Sequence, residues 1–257
     1  MSKFVSYLSV ALLAVTLFSC QKVIQLDLKE MEQKNVIEGF ITEGETSHYV
    51  KITKTLSFDK NEAYPTVDNA TVVVTDNLGN VATYALISPG VYETTGYLGV
   101  SGRTYTITVT IDGEVFTAES SMPNVTLLDG LEIAEIPFGP QTFITVVPKY
   151  QDELNVENYY LFDIFINGEK TKGISVRDDK SADGQINQQP LFDFVESTDT
   201  VKIIMHCIDK LAFKYLYSVS ANTGSIASPA NPDSNFGTSS LGYFSARVSS
   251  EDSIIVP

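Results

Sequence analysis

The stretch TYTITVTIDGEVFTAES, residues 104–120, holds the plainest local signal in this chain of 257 residues. Tyr105, Ile107, Val109 and Ile111 alternate with Thr104, Thr106, Thr108 and Thr110. A period of two puts all the apolar side chains on one face of a strand and all the threonines on the other. Asp112-Gly113 is the two-residue loop chemistry that accepts positive φ, and Val115–Ser120 runs back, so the stretch is predicted as a β-hairpin. Working outward, Asn35–Glu43 and Ser47–Thr55 alternate in the same way across a turn at Gly44. Ala70–Thr75, Val81–Leu86 and Val91–Thr94 follow, separated by Asp76-Asn77-Leu78-Gly79 and Ser88-Pro89-Gly90, both good turn sequences. About seven short strands before Met122-Pro123 predict an antiparallel sandwich over 35–123, immunoglobulin-like or prealbumin-like.

Residues 124–257 read as a second β-rich domain. Leu127–Ile136, Thr142–Val147, Glu169–Val176 and Val201–Cys207 are strand candidates. Tyr159–Ile166 (YYLFDIFI) is so uniformly apolar that it is expected to be covered on both faces, with Asn167-Gly168 turning the chain after it. Asp209 offers an N-cap to a helix near 209–220, whose Leu211, Tyr215, Leu216 and Val219 fall at helical spacing. Asn222–Ser240 holds two prolines, two glycines and many small polar residues, so it is either a binding loop or disordered. Leu241–Val248 is expected to close the fold and the residues after it to fray. If a ligand face exists, this loop and its edge supply it, with Asn231, Phe236 and Tyr243 as the candidate contacts.

The other end of the chain carries a different signal. Lys3 precedes an uncharged, mostly apolar run from Phe4 to Phe18, and Leu17-Phe18-Ser19-Cys20 follows. The run is short for a bilayer span and has the charge and small-residue pattern of a secretory signal, so 1–19 is expected to be a signal peptide. A cysteine directly after the small residue looks like a lipobox, which makes Cys20 the expected lipidation site and 20–34 a tether. An ordinary buried helix and a cleaved signal without lipid are the competing readings. Lipid on Cys20 would leave Cys207 with no partner for a disulfide.

Composition narrows the function. Thirty-two Asp and Glu against 17 Lys and Arg give a formal charge of -15, which repels nucleic acid and anionic lipid. No nucleic-acid partner is expected, and membrane attachment falls to the lipid on Cys20. Fourteen Phe and 13 Tyr with no Trp favour strands and weigh slightly against a sugar-binding face. No nucleophile elbow, zinc-protease, phosphate-loop or dinucleotide motif occurs. Of the two histidines, His48 and His206, the second neighbours Cys207 on a predicted strand, so the two side chains point to opposite faces and form no dyad. Cys207 reads as a buried structural thiol. Asp179, Ser181, Asp183 and Gly184 partly follow a calcium loop, but Pro190 stands where the bidentate Glu belongs. A solvated turn is expected there, with no tight metal site and no cofactor.

Several segments together resemble a known family, the Bacteroidota lipoproteins grouped as domain of unknown function 4249. They are Ser19-Cys20-Gln21-Lys22-Val23-Ile24-Gln25-Leu26-Asp27-Leu28, Val36-Ile37-Glu38-Gly39-Phe40-Ile41-Thr42, Gly102-Arg103-Thr104-Tyr105, Asn231-Pro232 and Leu241-Gly242-Tyr243-Phe244-Ser245-Ala246. The chain departs from the family pattern at Thr238-Ser239-Ser240, where a glycine pair usually stands. The resemblance implies a lipid-anchored outer-membrane protein, commonly encoded beside a TonB-dependent receptor, and brings no catalytic residues with it. The expected role is a non-enzymatic accessory or substrate-capture partner of such a receptor, its ligand a small molecule or polymer of unknown identity. A surface adhesin or envelope-structural module without a receptor is the alternative, and a hydrolase built from dispersed carboxylates a third reading.

Overall fold

The hairpin quoted above forms as its pattern requires. Residues Thr104–Ile111 and Glu114–Ser121 pair antiparallel, and the loop residues Asp112 and Gly113 take φ values of 51° and 88°. This computed structural model describes residues 33–57, 62–223 and 232–257. Cys20, the expected signal and tether up to residue 32, and Asn231 lie outside the described residues. The strands are β1 (Asn35–Thr42), β2 (Ser47–Lys54), β3 (Thr71–Asp76), β4 (Val81–Ser88), β5 (Val91–Thr95), β6 (Thr104–Ile111) and β7 (Glu114–Ser121). Then come β8 (Gly130–Phe138), β9 (Gln141–Lys149), β10 (Tyr159–Ile166), β11 (Glu169–Lys170), β12 (Ser175–Asp178), β13 (Thr200–Ile208), the helix α1 (Lys210–Thr223) and β14 (Leu241–Ile255).

The first seven strands form the expected immunoglobulin-like sandwich. β1-β2-β5 and β4-β3-β6-β7 are its two sheets, and β4 belongs to both. Its first half, Val81–Tyr84, pairs with β3, and its second half, Ala85–Ser88, pairs with β5. Alternation puts Ile37, Ile41, Val50, Ile52 and Tyr92 from one sheet against Val72, Val74, Ile107 and Val109 from the other in a single core. Tyr105 ties the strand ends together. Its hydroxyl accepts from Val100 N at 2.7 Å and donates to Val100 O at 3.0 Å, the tyrosine-corner device of such sandwiches.

The second half is mainly β with one helix among the described residues, as expected, but it is not a separate body. β14 lies parallel to β1, from Val36↔Leu241 to Thr42↔Arg247, and its later residues run antiparallel to β13, from Cys207↔Val248 to Thr200↔Ile255. One path of hydrogen-bonded strands therefore runs β11-β10-β13-β14-β1-β2-β5-β4-β3-β6-β7, with β12 also on β10 and β8-β9 a separate two-stranded sheet. Gln33–Pro257 is one compact unit, and the core that holds Ile37 and Ile107 also holds Phe162, Met205 and Phe244. The division expected after Pro123 is thus a change of sheet, with no break in the core. The residues after Val248 do not fray either. Their polar sequence hid a strand that backbone pairing with β13 and the inward side chain of Ile254 hold in place.

The junction depends on one glycine. Gly242 stands opposite Ile37 with φ 97°, and a Cβ there would sit 2.0 Å from the Ile37 carbonyl oxygen. Gly79, in the β3–β4 turn, has φ 85° with nothing within 4 Å of an added Cβ. Gly79→Ala should therefore cost only the strain of positive φ, roughly 1–2 kcal/mol. Gly242→Ala adds a backbone collision and should cost at least about 3 kcal/mol, a melting temperature lower by roughly 6–12 °C. Thermal unfolding of the two variants side by side checks this, and equal losses would contradict it.

Candidate functional site

Because β14 is shared, its alternation decides two faces at once. Phe244, Ala246 and Val248 point into the main core, so Tyr243, Ser245, Arg247 and Ser249 point outward. The same parity turns Glu38 and Phe40 of β1, Tyr159, Leu161 and Asp163 of β10, and His206 and Ile208 of β13 to this outer face. Helix α1 covers part of it. Asp209 caps the helix by accepting from Leu211 N at 2.7 Å and Ala212 N at 3.1 Å. The other Asp209 oxygen accepts from Ser120 Oγ, which accepts in turn from Ala246 N at 2.7 Å. Burial pushes the Asp209 carboxyl up, against these donors. Ala212, Phe213, Tyr215 and Leu216 then pack on Tyr159, Leu161 and Ile208 as a second, smaller core.

Between helix and sheet lies a cavity of about 240 Å³, lined by Glu38, Leu161, Asp163, Lys170, Gly173, Ile174, Tyr215, Leu216, Val219 and Tyr243. Tyr243 and Tyr215 stack with ring centroids 5.4 Å apart. Burial, with some help from Glu38, pushes the Tyr243 hydroxyl up to about 12, so it stays neutral. Asp163 holds Lys170 Nζ at 2.7 Å and has His206 Nε2 at 3.5 Å, the outer limit of a hydrogen bond. Burial alone would raise the Asp163 carboxyl, yet these two partners outweigh it and hold it down at about 2. Burial also lowers the His206 pKa, although Asp163 opposes the shift, so the imidazole is neutral at neutral pH. Beside them Arg247 lies 3.6 Å over the Phe40 ring and donates from Nε to Thr42 Oγ1 at 3.2 Å. Ser245 is buried with its hydroxyl unpaired.

His206 Nδ1 is 2.6 Å from Ser249 Oγ, which completes a Ser249–His206–Asp163 row across β14, β13 and β10. The residue types match a nucleophile, base and orienting acid, but the geometry does not serve that chemistry. Ser249 sits within regular strand pairing opposite His206 and does not line the cavity. The usual arrangement lifts the serine on a sharp turn beside free N–H groups that hold an oxyanion. The row therefore acts as a fixed polar strip.

The turn at Asp179–Gly184, expected to be solvated and to hold no tight metal, has a third carboxylate beside it that its own sequence does not contain. Asp152, between β9 and β10, brings a carboxylate oxygen within 4.8 Å of one from Asp179 and one from Asp183. These are the residues among those described that could hold a metal. Each carboxylate has its own donor: Tyr160 Oη and Gly184 N on Asp152 at 2.6 and 3.1 Å, Asn158 N on Asp179 at 2.8 Å, and Asn155 N on Asp183 at 2.7 Å. Ser181 Oγ accepts from Gln189 Nε2 at 3.1 Å.

Of the residues singled out from sequence, Tyr243 lines the cavity. Phe236 does not: it is buried in the main core, because Asn235 bonds both Phe244 N and O like a strand neighbour and draws the loop inward. Cys207 is buried in the main core on the face opposite His206, with Thr126 N 3.3 Å from its sulfur, and burial pushes its thiol up. His48 is buried with Nε2 2.8 Å from Tyr97 O. Glu38, Asp163 and Lys170 were not singled out, since nothing local marks them; only sheet register brings them together.

The family described as Domain of unknown function (DUF4249) matches residues 21–253. No curated protein matches the chain. Among solved structures, a two-domain fibronectin type-III segment from chicken tenascin is similar at 14% identity and TM-score 0.23, over 68% of this chain and 91% of that one. The Yersinia pseudotuberculosis adhesin InvE is similar at 17% identity and TM-score 0.21, over 67% of this chain and 55% of its own length.

The Asp163 cluster makes stability pH-dependent. A carboxyl held near 2 when folded, against 3.8 in an unperturbed group, contributes above pH 3.8 and loses that contribution as pH falls toward 2. The shift is worth about 2 kcal/mol. Urea unfolding should show Asp163→Asn less stable than the wild type by about that amount at pH 6, with the gap closing toward pH 2. A gap that does not change with pH would contradict the assignment.

Proposed function

The chain belongs to the DUF4249 family, a domain of unknown function, and from that premise we propose a lipid-anchored, non-enzymatic accessory of a TonB-dependent outer-membrane receptor, one that captures or presents a substrate for uptake. The observation that carries the reading is the Lys3–Cys20 segment, with its single leading positive charge, short apolar run and Ser19-Cys20 pair. Several acyl chains on Cys20, each worth about 0.8 kcal/mol per buried CH₂, would hold an acidic body to a bilayer that its charge does not attract. The strand-built body and the cavity beneath α1 support capture over a purely mechanical role. A receptor-free adhesin would need neither a cavity nor a charged strip beneath a helix.

The non-enzymatic part of the reading rests on the site's geometry. Ser249, the hydroxyl beside His206, lies mid-strand and away from the cavity, and His48 Nε2 is taken up by the Tyr97 carbonyl.

Radiolabelled palmitate should enter the wild-type chain and not Cys20→Ser, and the variant should leave the membrane fraction. Affinity isolation of the full-length chain from outer membranes should bring down a TonB-dependent receptor. Isolation without any receptor would favour the adhesin reading. A fluorophosphonate should leave the protein unlabelled; labelling that disappears in Ser249→Ala would overturn the non-enzymatic assignment.

A further inference from the structure

We propose that the cavity beneath α1 binds a small organic cation, an ammonium carried on an apolar body, with Glu38 as its counter-ion and the Tyr215–Tyr243 pair as its aromatic wall. The charges lining the space lead there. Two carboxylates, Glu38 and Asp163, face it with one ammonium, that of Lys170. Lys170 is committed to Asp163 at 2.7 Å. Glu38 is exposed and forms no ion pair with any described residue. Lys51 is its cross-strand neighbour but is in none of the ion pairs among the described residues. Arg247 is held over Phe40 and on Thr42, and His206 faces Asp163 from beneath the surface with no other partner for its Nε2. Among the described residues, one carboxylate at the cavity therefore has no cation beside it, and the cavity's own Lys170–Asp163 pair shows how an ammonium is held in this setting.

The rest of the lining favours an organic cation over a metal ion. Leu161, Ile174, Leu216 and Val219 give apolar walls, and two neutral tyrosine rings lie beside Glu38. A cation over an aromatic face is attracted by the ring quadrupole, and an apolar body gains from leaving water. Hard divalent ions need several oxygens converging on one point, whereas Asp163 is already engaged. The volume of about 240 Å³ suits a ligand of a few carbons or one ring, below the usual range for drug-sized molecules. The formal charge of -15 raises the concentration of cations near the surface.

This names a ligand class for the capture role proposed above and rests on that reading only for the purpose of binding. The test uses the full-length chain in detergent with benzylammonium chloride as probe and benzyl alcohol as its uncharged counterpart, followed by titration calorimetry and by shifts of tyrosine ring signals. Benzylammonium should bind with a Kd of about 1 mM or lower, at least about tenfold tighter than the alcohol. Glu38→Gln, a change at an exposed position, should remove that discrimination, and Lys51→Gln should not. Added salt should weaken the ammonium and leave the alcohol unchanged. Equal binding of the two probes, unchanged discrimination in Glu38→Gln, or no binding by the wild type would each overturn the inference. Receptor isolation is a separate readout, so a failed cavity with a receptor still attached is distinguishable from a sound cavity with no receptor.

Discussion

The parallel pairing of β14 with β1 is the constraint on which the rest of the structure depends. A parallel pair needs its two strands to arrive from the same side, so the chain must cross the molecule before it can close. Here residues 43–240 lie between the two strands. The close approach at Ile37 is open only to a residue without a side chain, and Gly242 supplies it with φ 97°. Past Arg247 the same strand leaves β1 and continues along β13. One 15-residue strand thus belongs to the sandwich at one end and to the α1-covered sheet at the other.

That sharing also produces the candidate site. A strand with one face committed to the core has its opposite side chains placed by parity alone, and β14 places Tyr243, Arg247 and Ser249 in line with Glu38 and His206. Helix α1 is held by the same junction. Its N-cap Asp209 meets Ser120 of β7, and Ser120 meets the backbone of Ala246. The helix position, and with it the cavity's outer wall, is therefore tied to the strand that supplies the cavity's floor.

Much of this was legible in the residues, and the limits have physical reasons. The Thr104–Ile111 alternation and the Asp112-Gly113 loop needed only local geometry, and the strands before Pro123 were read within a residue or two of their ends. YYLFDIFI was rightly expected to be covered twice, by the main core and by α1. What escaped was whatever depends on long-range register. SSEDSII, residues 249–255, reads as a polar tail because its pairing is made by backbone groups common to every sequence. Phe236 stands in a loop rich in small residues, where its neighbours suggest a ligand contact, but Asn235 bonds β14 and the ring is buried in the main core. Asp152 could not be linked to Asp183 by spacing, since the two lie on different segments. Glu38 and Asp163 are single acids in apolar strands, and no local pattern distinguishes them from solvated ones.

The outer face of the shared sheet is also more polar than stability alone calls for. Leucines on β13, β14 and β10 would have given α1 a wider apolar seat, and replacing buried ion pairs with packed apolar side chains is often neutral or stabilising. Instead the face carries His206 with its Nε2 barely satisfied, Ser245 with none of its hydroxyl satisfied, and an arginine set over a phenylalanine ring. Burying such groups costs free energy that packing elsewhere must offset. The main core, which runs unbroken from β7 to β10, is large enough to do so. The exception to this sheet's apolar rule is therefore a local one, and it lies beside the cavity where α1 and the sheet stand apart around Glu38. Polar groups kept at the edge of a cavity are what the ligand role proposed for that cavity calls for, and of these the Asp163–Lys170 pair also stabilises the fold.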